Sequence, residues 1–204
     1  LFSGMDKYRW GFFPSASVAW RISNENFMKS ADFLNDLKIR ASVGMLGNDG
    51  VPEYAFLSTY SRYGQKVGYR MVDGSAAFNP AYKPDVVPSL NLSWERYLSY
   101  NVGFDATLWD GLLGMEVDGF YNYTYEILTG QGSGFPASMG GYYPTYINYP
   151  AIDAKGVDLM VTHKNQFSLG GKPFFYGVSA SLTYSKTRWI KYKDNPEVSD
   201  NRKI

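Results

Sequence analysis

The segment YLSYNVGFDATLWDGLLGMEVDGFYNYT, residues 97–124, decides the fold because it can fold back on itself about Asp110-Gly111. Asp-Gly between two alternating stretches is a strong signal for a two-residue hairpin turn. With that turn, residues whose numbers sum to 221 face each other, and each apolar position of 97–108 meets an apolar or small residue of 113–124. A slip of one residue would move these side chains to the opposite face. The sequence therefore predicts an antiparallel hairpin with one apolar and one polar face.

The apolar face of this hairpin has the length of a membrane crossing. It carries no charge over the eleven residues from Leu98 to Leu108. At about 3.3 Å per residue and a tilt near 45°, this stretch covers roughly the 25 Å apolar band of a transmembrane β-barrel. The sequence contains no run of 18 apolar residues of the kind that indicates a transmembrane helix.

The composition excludes several classes of function and favours a membrane interface. The 204 residues carry 20 basic and 19 acidic side chains, a balance that implies no nucleic-acid partner. The absence of cysteine excludes thiolate metal sites, thiol catalysis and a disulfide scaffold. Aromatic residues make up 18% of the chain, with tyrosine the most frequent. Tyrosine is enriched in this way in the aromatic girdles at the two surfaces of a membrane.

Alternation of apolar and polar residues elsewhere predicts about eight strands in all. They lie at 13–22, 37–45, 53–63, 67–73, in the two arms of the hairpin, at 151–166 and at 174–190. A short helical turn is expected within 24–30, and residues 74–89, with their prolines and glycine, are predicted to form a loop.

The lengths of the connections predict which end of the strands faces outward. Counted from the first strand, the odd-numbered connections lie at 23–35, 64–66, 110–111 and 167–173, and the even-numbered ones at 47–52, 74–89 and 129–150. Three of the four odd connections are tight and two of the three even ones are long. Outer-membrane barrels combine short periplasmic turns with long extracellular loops. We therefore expect the even connections to face outward, with 23–35 as an exception that barrel rules do not explain.

Several motifs resemble segments of the SusC/RagA-type TonB-dependent outer-membrane transporters. The most specific is GFFPSASVAWRIS at residues 11–23. Further similarity follows in the family's order, in NFMK at 26–29, LKIRASVG at 37–44, NLSWE at 91–95, NVGFD at 101–105 and DGFYN at 118–122. The similarity runs from about residue 9 to 129 and is weaker beyond.

This resemblance implies an all-β chain that forms part of a transmembrane antiparallel β-barrel in the bacterial outer membrane. About eight strands of a 22-stranded barrel would be present, residues 1–204 would all belong to the barrel, and no segment matches the plug or the TonB box. Members of the family import glycans or oligopeptides, are energised by the TonB complex and are capped by a SusD-like surface lipoprotein. The resemblance also implies contact with membrane lipid and lipopolysaccharide. The identity of the substrate cannot be read from the sequence.

Two other interpretations remain open at the level of sequence. One is a complete eight-stranded outer-membrane barrel, which fits the strand count. The other is a soluble β-sandwich that acts as a carbohydrate-binding or adhesion module. The apolar faces of a sandwich would pack against each other and prefer Leu, Ile, Val and Phe, whereas many of these faces carry Tyr, Ala and Met.

The opposed carboxylates Asp105 and Glu116 form the first candidate site. Like charges that face each other across strands are destabilising. Either they form an acidic patch in the lumen that meets basic residues of the plug or of other wall strands, or water in the lumen solvates them. Paired carboxylates also serve glycoside hydrolases, but nothing else in the sequence builds a cleft, so we predict no catalytic residues and no enzyme. His163 is the only histidine, and no residue set indicates a metal or another cofactor.

The second candidate site is the tyrosine-rich connection at 129–150. Tyr142, Tyr143 and Tyr146 lie in it, on the side predicted to face outward. Tyrosine rings stack on sugars and supply hot spots at protein interfaces. We therefore expect these residues to contact substrate or the lipoprotein cap. The alternative is that they form the upper aromatic girdle or pack against a neighbouring loop.

Overall fold

The computed structural model describes residues 10–50, 55, 57–70, 76–130, 138 and 146–192. Its ten strands are β1 Ser15–Arg21, β2 Leu34–Asn48, β3 Thr59–Arg70, β4 Ala76–Val86, β5 Glu95–Leu108, β6 Leu113–Tyr125, β7 Leu128–Gly130, β8 Tyr146–Asn148, β9 Ala151–Leu169 and β10 Lys172–Lys191. Two single 3-10 turns, Ile22–Asn24 and Asn26–Met28, lie between β1 and β2, where a helical turn was expected. Among the described residues, no helix has the length and apolar character needed to cross a membrane.

Six of these strands form one antiparallel sheet in the order β1-β2-β5-β6-β9-β10. The ladder β3–β4 lies in the connection between β2 and β5, and the short ladder β7–β8 lies in the connection between β6 and β9. One end of the sheet therefore has the shorter connections 22–33, 109–112 and 170–171, and the opposite end has the long connections 49–94 and 126–150. This separation of short and long connections agrees with the barrel pattern expected from the sequence.

The central hairpin has the predicted register. Leu108 pairs with Leu113 and Leu98 with Tyr123, so the numbers of paired residues sum to 221 along the ladder. The amide of Leu112 donates to the carbonyl of Trp109 over 3.0 Å. The two residues between them, Asp110 and Gly111, have φ of +53° and +86°. Positive φ at both central residues is the mark of the type I′ turn that Asp-Gly favours.

The predictions of a turn at 64–66 and a loop at 74–89 are wrong. β3 runs unbroken from Thr59 to Arg70. The ladder shifts in register between Tyr63 and Lys66, so the residues predicted to form a turn lie within the strand as an irregularity. β4 pairs with β3 although it contains Pro80 and Pro84. Each strand of a two-stranded ladder is an edge strand, and an edge strand tolerates proline because one side of its backbone has no ladder to complete.

The interpretation as a soluble β-sandwich is also wrong. Its apolar faces would have to be buried between two sheets, but the sheet exposes them: Val102 is 60% and Leu182 65% exposed. The buried hydrophobic residues in the described part of the chain are Leu92 and Ala151, both near the end with the long connections. The six-stranded sheet is moreover open within the described residues, with β1 and β10 as its edges, whereas a complete eight-stranded barrel is closed.

Candidate functional site

One face of the sheet carries an uncharged band that is clearest on β10. Six side chains on this face lie between Lys172 and Lys186 without a charge among them: Phe174, Tyr176, Val178, Ala180, Leu182 and Tyr184. The stretch from Phe174 to Tyr184 spans eleven residues, as does the band from Leu98 to Leu108 on β5. Both bands fit an apolar layer about 25 Å thick. We call this side of the sheet the apolar face.

The bands on β5 and β10 are offset from each other, and the offset gives the tilt of the strands. The pairing places Leu108 of β5 in one row with Val178 of β10, across Leu113 and His163. The β5 band ends at this row, while the β10 band continues four residues towards the turns, to Phe174. Four residues at about 3.3 Å, over three strand spacings of about 4.8 Å, correspond to a tilt of about 43°. Strands of outer-membrane barrels tilt by about 35–45°, so one flat apolar layer covers both bands.

Aromatic side chains lie at both ends of this apolar layer. At the end with the short turns, the rings of Phe167 and Phe174 are 5.2 Å apart and His163 stacks on Tyr176 at 5.5 Å. At the other end, the rings of Tyr100 and Tyr121 are 6.4 Å apart across β5 and β6. Two aromatic belts separated by an apolar layer are typical of a transmembrane β-barrel.

The opposite, polar face of the sheet carries a charge network at the first candidate site. Asp105 faces Glu116 in the ladder, as the sequence predicted. Lys38 of β2 lies 3.0 Å from Asp105, and one guanidinium, that of Arg40, lies 3.0 Å from Asp105 and 2.6 Å from Asp118. Two cations of the neighbouring strand β2 thus offset this repulsion.

Other carboxylates of the polar face do not share in this compensation. Glu116 is exposed and has no ion pair among the described residues. Asp158 of β9 faces Asp118 directly, a second like-charged pair that adds to the first. One oxygen of Asp118, Oδ1, is buried without a hydrogen-bond partner in the described structure. The four carboxylates therefore outnumber the two cations that form ion pairs with them, while Lys164 lines the same hollow as Asp105 and Glu116.

The sequence reasoning missed Lys38 and Arg40 as members of this site. Their alternation within 37–45 did place them on a polar face. The missing information was that β2 pairs with β5, which places Lys38 opposite Asp105 and Arg40 opposite Gly103. The long connection 49–94 separates the two strands along the chain, and no short-range signal reports a pairing across it.

The second candidate site is only partly described. Tyr142 and Tyr143 lie outside the described residues. Tyr146 begins β8, is half-buried and packs, together with Trp94 and others, against Leu92 in a small apolar cluster. This is the packing alternative that the sequence left open for Tyr146, and its contact with substrate or a lipoprotein stays a prediction.

One asparagine joins described residues of the two long connections. The side-chain amide of Asn148 donates to the carbonyls of Ser93 and Glu126, each over 2.8 Å, and its oxygen accepts from the amide of Ser93 over 2.8 Å. These hydrogen bonds hold the described residues 93, 126 and 148 together next to the end of the sheet.

Comparison with known proteins agrees with this architecture. A family model described as "TonB dependent receptor-like, beta-barrel" matches residues 2–203. The chain is 26% identical over 195 residues to the TonB-dependent receptor SusC of Bacteroides thetaiotaomicron, covering 90% of this chain and 17% of that protein. It is also 26% identical over 200 residues to the TonB-dependent receptor P3 of Formosa agariphila, covering 97% of this chain and 18% of the relative.

A solved structure shows the same fold. The RagAB peptide transporter superposes with a TM-score of 0.70 at 21% sequence identity, over 94% of this chain and 19% of the transporter chain. The chain thus spans less than a fifth of the length of the relatives it matches.

Proposed function

The chain belongs to the TonB-dependent receptor β-barrel family of the outer membrane, and we propose on this premise that it forms part of the wall of an active nutrient importer. The complete importer would have about 22 strands, with this chain supplying wall and outward-facing connections. Its substrates would be glycans or oligopeptides, a SusD-like lipoprotein would cap it and the TonB complex would energise it. The chain takes part in transport and performs no covalent chemistry.

The observation that carries this proposal is the division of one sheet into two faces. The apolar face is exposed along a layer of constant height, as a surface in contact with lipid tails must be. The polar face carries paired charges, as a surface in contact with a water-filled lumen can. Similarity to a protein described as a peptide transporter supports the choice of a polymeric nutrient as substrate.

Charge placement tests which face contacts lipid. Ala180 lies near the middle of the β10 band, and Ser181 is its neighbour on the polar face. In the full-length transporter, Ala180→Lys should destabilise the inserted barrel by about 2–4 kcal/mol, the range found for lysine at the bilayer midplane. Ser181→Lys is the matched control and should change the stability little. Equal effects of the two substitutions, measured as the yield of folded barrel in outer membranes, would refute a lipid-facing apolar face.

Uptake measurements test the importer itself. Cells that express the full-length protein should accumulate labelled glycans or oligopeptides, and deletion of TonB should abolish the accumulation. A SusD-like lipoprotein should co-purify with the transporter. Accumulation that is unchanged without TonB would contradict an energised importer.

Two tyrosines of the second candidate site suit a separate test. We expect Tyr142 and Tyr143 to contact substrate or the lipoprotein, so their joint replacement by Ala should reduce uptake or co-purification. Tyr146 stays unchanged in this variant because it packs in the cluster around Leu92, where its loss would disturb the fold. If both uptake and co-purification stay intact, these tyrosines have no such role.

The acidic pair can be tested through its uncompensated member. We place Asp105 and Glu116 on the lumen side, where the patch would meet basic residues of the plug. Glu116→Gln is the informative substitution because Asp105 is already paired within the wall. The substitution should weaken docking of the plug in the intact protein, which is measured as the yield of crosslinks between plug and barrel. Unchanged crosslinking would leave solvation by water as the role of Glu116.

A further inference from the structure

Two lysines face each other on the apolar side of the sheet. Lys155 of β9 and Lys186 of β10 are direct partners in the ladder, and both are exposed. Neither has an ion pair among the described residues. Like charges directly opposite each other destabilise a sheet, so this pair would be more stable with an anion beside it.

The neighbouring acid is already hydrogen-bonded to another cation. Asp153 lies two residues from Lys155 on the same face, but it is 1% exposed and both its carboxylate oxygens accept from Nε of Arg188, at 2.8 and 2.9 Å. The pair Asp153–Arg188 is neutral as a unit. The two lysines therefore leave this spot with two positive charges.

The position of the lysines relative to the apolar layer indicates where the anion comes from. Lys186 directly follows the β10 band that ends at Tyr184, and Tyr121 is the ladder partner of Lys155 on the other side. The lysines lie at the end of the sheet that carries the long connections, because Lys155 is near the start of β9, just after the connection 126–150. In the proposed function this end is at the outer leaflet, at the depth of the lipid headgroups.

A depression beside the lysines has the character of a site for an acyl chain. It has a volume of about 530 Å³ and is lined almost entirely by apolar surface. Gly119 forms part of its lining, and the absence of a side chain there leaves room between the neighbouring strands. Its other lining residues on this face are Tyr100, Val102, Tyr121, Val157, Tyr184, Lys155 and Lys186.

We propose that Lys155 and Lys186 bind the phosphate of an outer-leaflet glycolipid, lipopolysaccharide, and that the depression over Gly119 holds one of its acyl chains. This proposal rests on the proposed function, since it needs the apolar face to contact lipid. Basic groups at the level of the headgroups attract anionic lipids, and the adjoining apolar depression adds recognition of the chain. The occupant is a phosphorylated lipid, since a free phosphate would leave the depression unused.

The experiment compares the full-length transporter with Lys155→Gln/Lys186→Gln, after exchange into detergent containing lipid A. Native mass spectrometry counts the lipid A molecules bound per protein. The wild type should retain lipid A. The double variant should bind lipid A at least about tenfold more weakly, since each lysine contributes to the attraction. Lys172→Gln is the matched control, because Lys172 bounds the same β10 band at its opposite end. The control should bind lipid A like the wild type.

Three further arms identify the ligand. Lipid A without its phosphates should bind the wild type as weakly as phosphorylated lipid A binds the double variant, and phosphatidylethanolamine should not compete. Inorganic phosphate should not displace lipid A at equal concentration. Displacement by inorganic phosphate, or equal binding by the wild type and the double variant, would overturn the proposal.

The result also separates this proposal from the proposed function. If the double variant folds, inserts and imports like the wild type but binds lipid A equally, only the lipid site is wrong. If Ala180→Lys and Ser181→Lys are tolerated equally, the apolar face does not contact lipid, and the lipid site falls with the proposed function.

Discussion

Removal of Arg40 is predicted to destabilise the barrel because this one guanidinium joins two carboxylates. Its Nη2 lies 3.0 Å from Asp105 and 2.6 Å from Asp118, and its Nε donates to Asp105 over 3.2 Å. Arg40→Met keeps much of the side-chain volume and removes the charge. Lys38 would then be the remaining cation of the network, next to four carboxylates of the polar face.

The size of the effect follows from the exposure of the partners. The side chains of Arg40, Asp105 and Asp118 are 35%, 28% and 19% exposed. An exposed ion pair contributes about 0–1 kcal/mol, whereas breaking a fully buried pair costs about 3–5 kcal/mol. The network lies between these limits, so Arg40→Met should lower the free energy of unfolding by about 1–3 kcal/mol.

The assay is urea unfolding of the full-length barrel in detergent. The folded fraction is measured from the difference in electrophoretic mobility between the folded and unfolded forms. The midpoint and slope give the change in the free energy of unfolding. A double-mutant cycle with Asp118→Asn isolates the pair, and the coupling energy should be about 1–2 kcal/mol. Asp118→Asn alone should cost less than Arg40→Met, because it also relieves the repulsion from Asp158.

A more exposed ion pair between β1 and β2 supplies the control. Arg21 lies 3.1 Å from Asp36, with side-chain exposures of 56% and 36%. Arg21→Met should therefore change the free energy of unfolding by less than about 1 kcal/mol. If Arg40→Met costs no more than Arg21→Met, or if the cycle shows no coupling, the charge network does not stabilise the wall and the reasoning is refuted.

Two further predictions concern packing and the outward-facing connections. A side chain on Gly156 would overlap the carbonyl oxygen of Tyr184 and the ring of Phe120, so Gly156→Val should lower the yield of folded barrel. Gly119→Ala is the control and should leave the yield unchanged, because its new methyl group would meet its nearest neighbour at 3.7 Å. Asn148→Ala should leave the backbone groups that its amide joins without partners, and hydrogen exchange in 126–130 should speed up while exchange in the centre of the sheet stays unchanged.

The register of the central hairpin could be predicted because two independent signals agree. Asp110-Gly111 fixes the turn, and strict alternation over 97–124 allows one register only. The ladder β3–β4 lacked such agreement. Its prolines and Gly64-Gln65 look like breaks, and nothing local reveals that both strands are edges on which such residues are tolerated. Local chemistry thus predicts neighbours joined by a tight turn and fails for strands whose pairing depends on distant partners.

The same limit explains what was predicted of the candidate sites. The opposition of Asp105 and Glu116 lies within one hairpin and was therefore predictable. Their compensation by Arg40 depends on β2 lying beside β5, across the long connection 49–94. The opposition of Lys155 and Lys186 lies within the β9–β10 hairpin. The Gly170-Gly171 turn could have revealed it, because both glycines have positive φ and fix that register in the same way.

The width of the proposed 22-stranded barrel accounts for charge compensation within the wall. With a tilt of about 43° and strands about 4.8 Å apart, a barrel of 22 strands has a radius of about 23 Å, whereas one of eight strands has about 9 Å. Side chains fill the interior of the smaller barrel and can pair across it. In the proposed 22-stranded barrel they cannot reach across the lumen, and the cation that pairs with Asp105 and Asp118 is Arg40 of the adjacent strand β2. In the same proposal, a carboxylate without an ion pair among the described residues, such as Glu116, is available to groups in the lumen, and Glu116→Gln is therefore the substitution that tests contact with the plug.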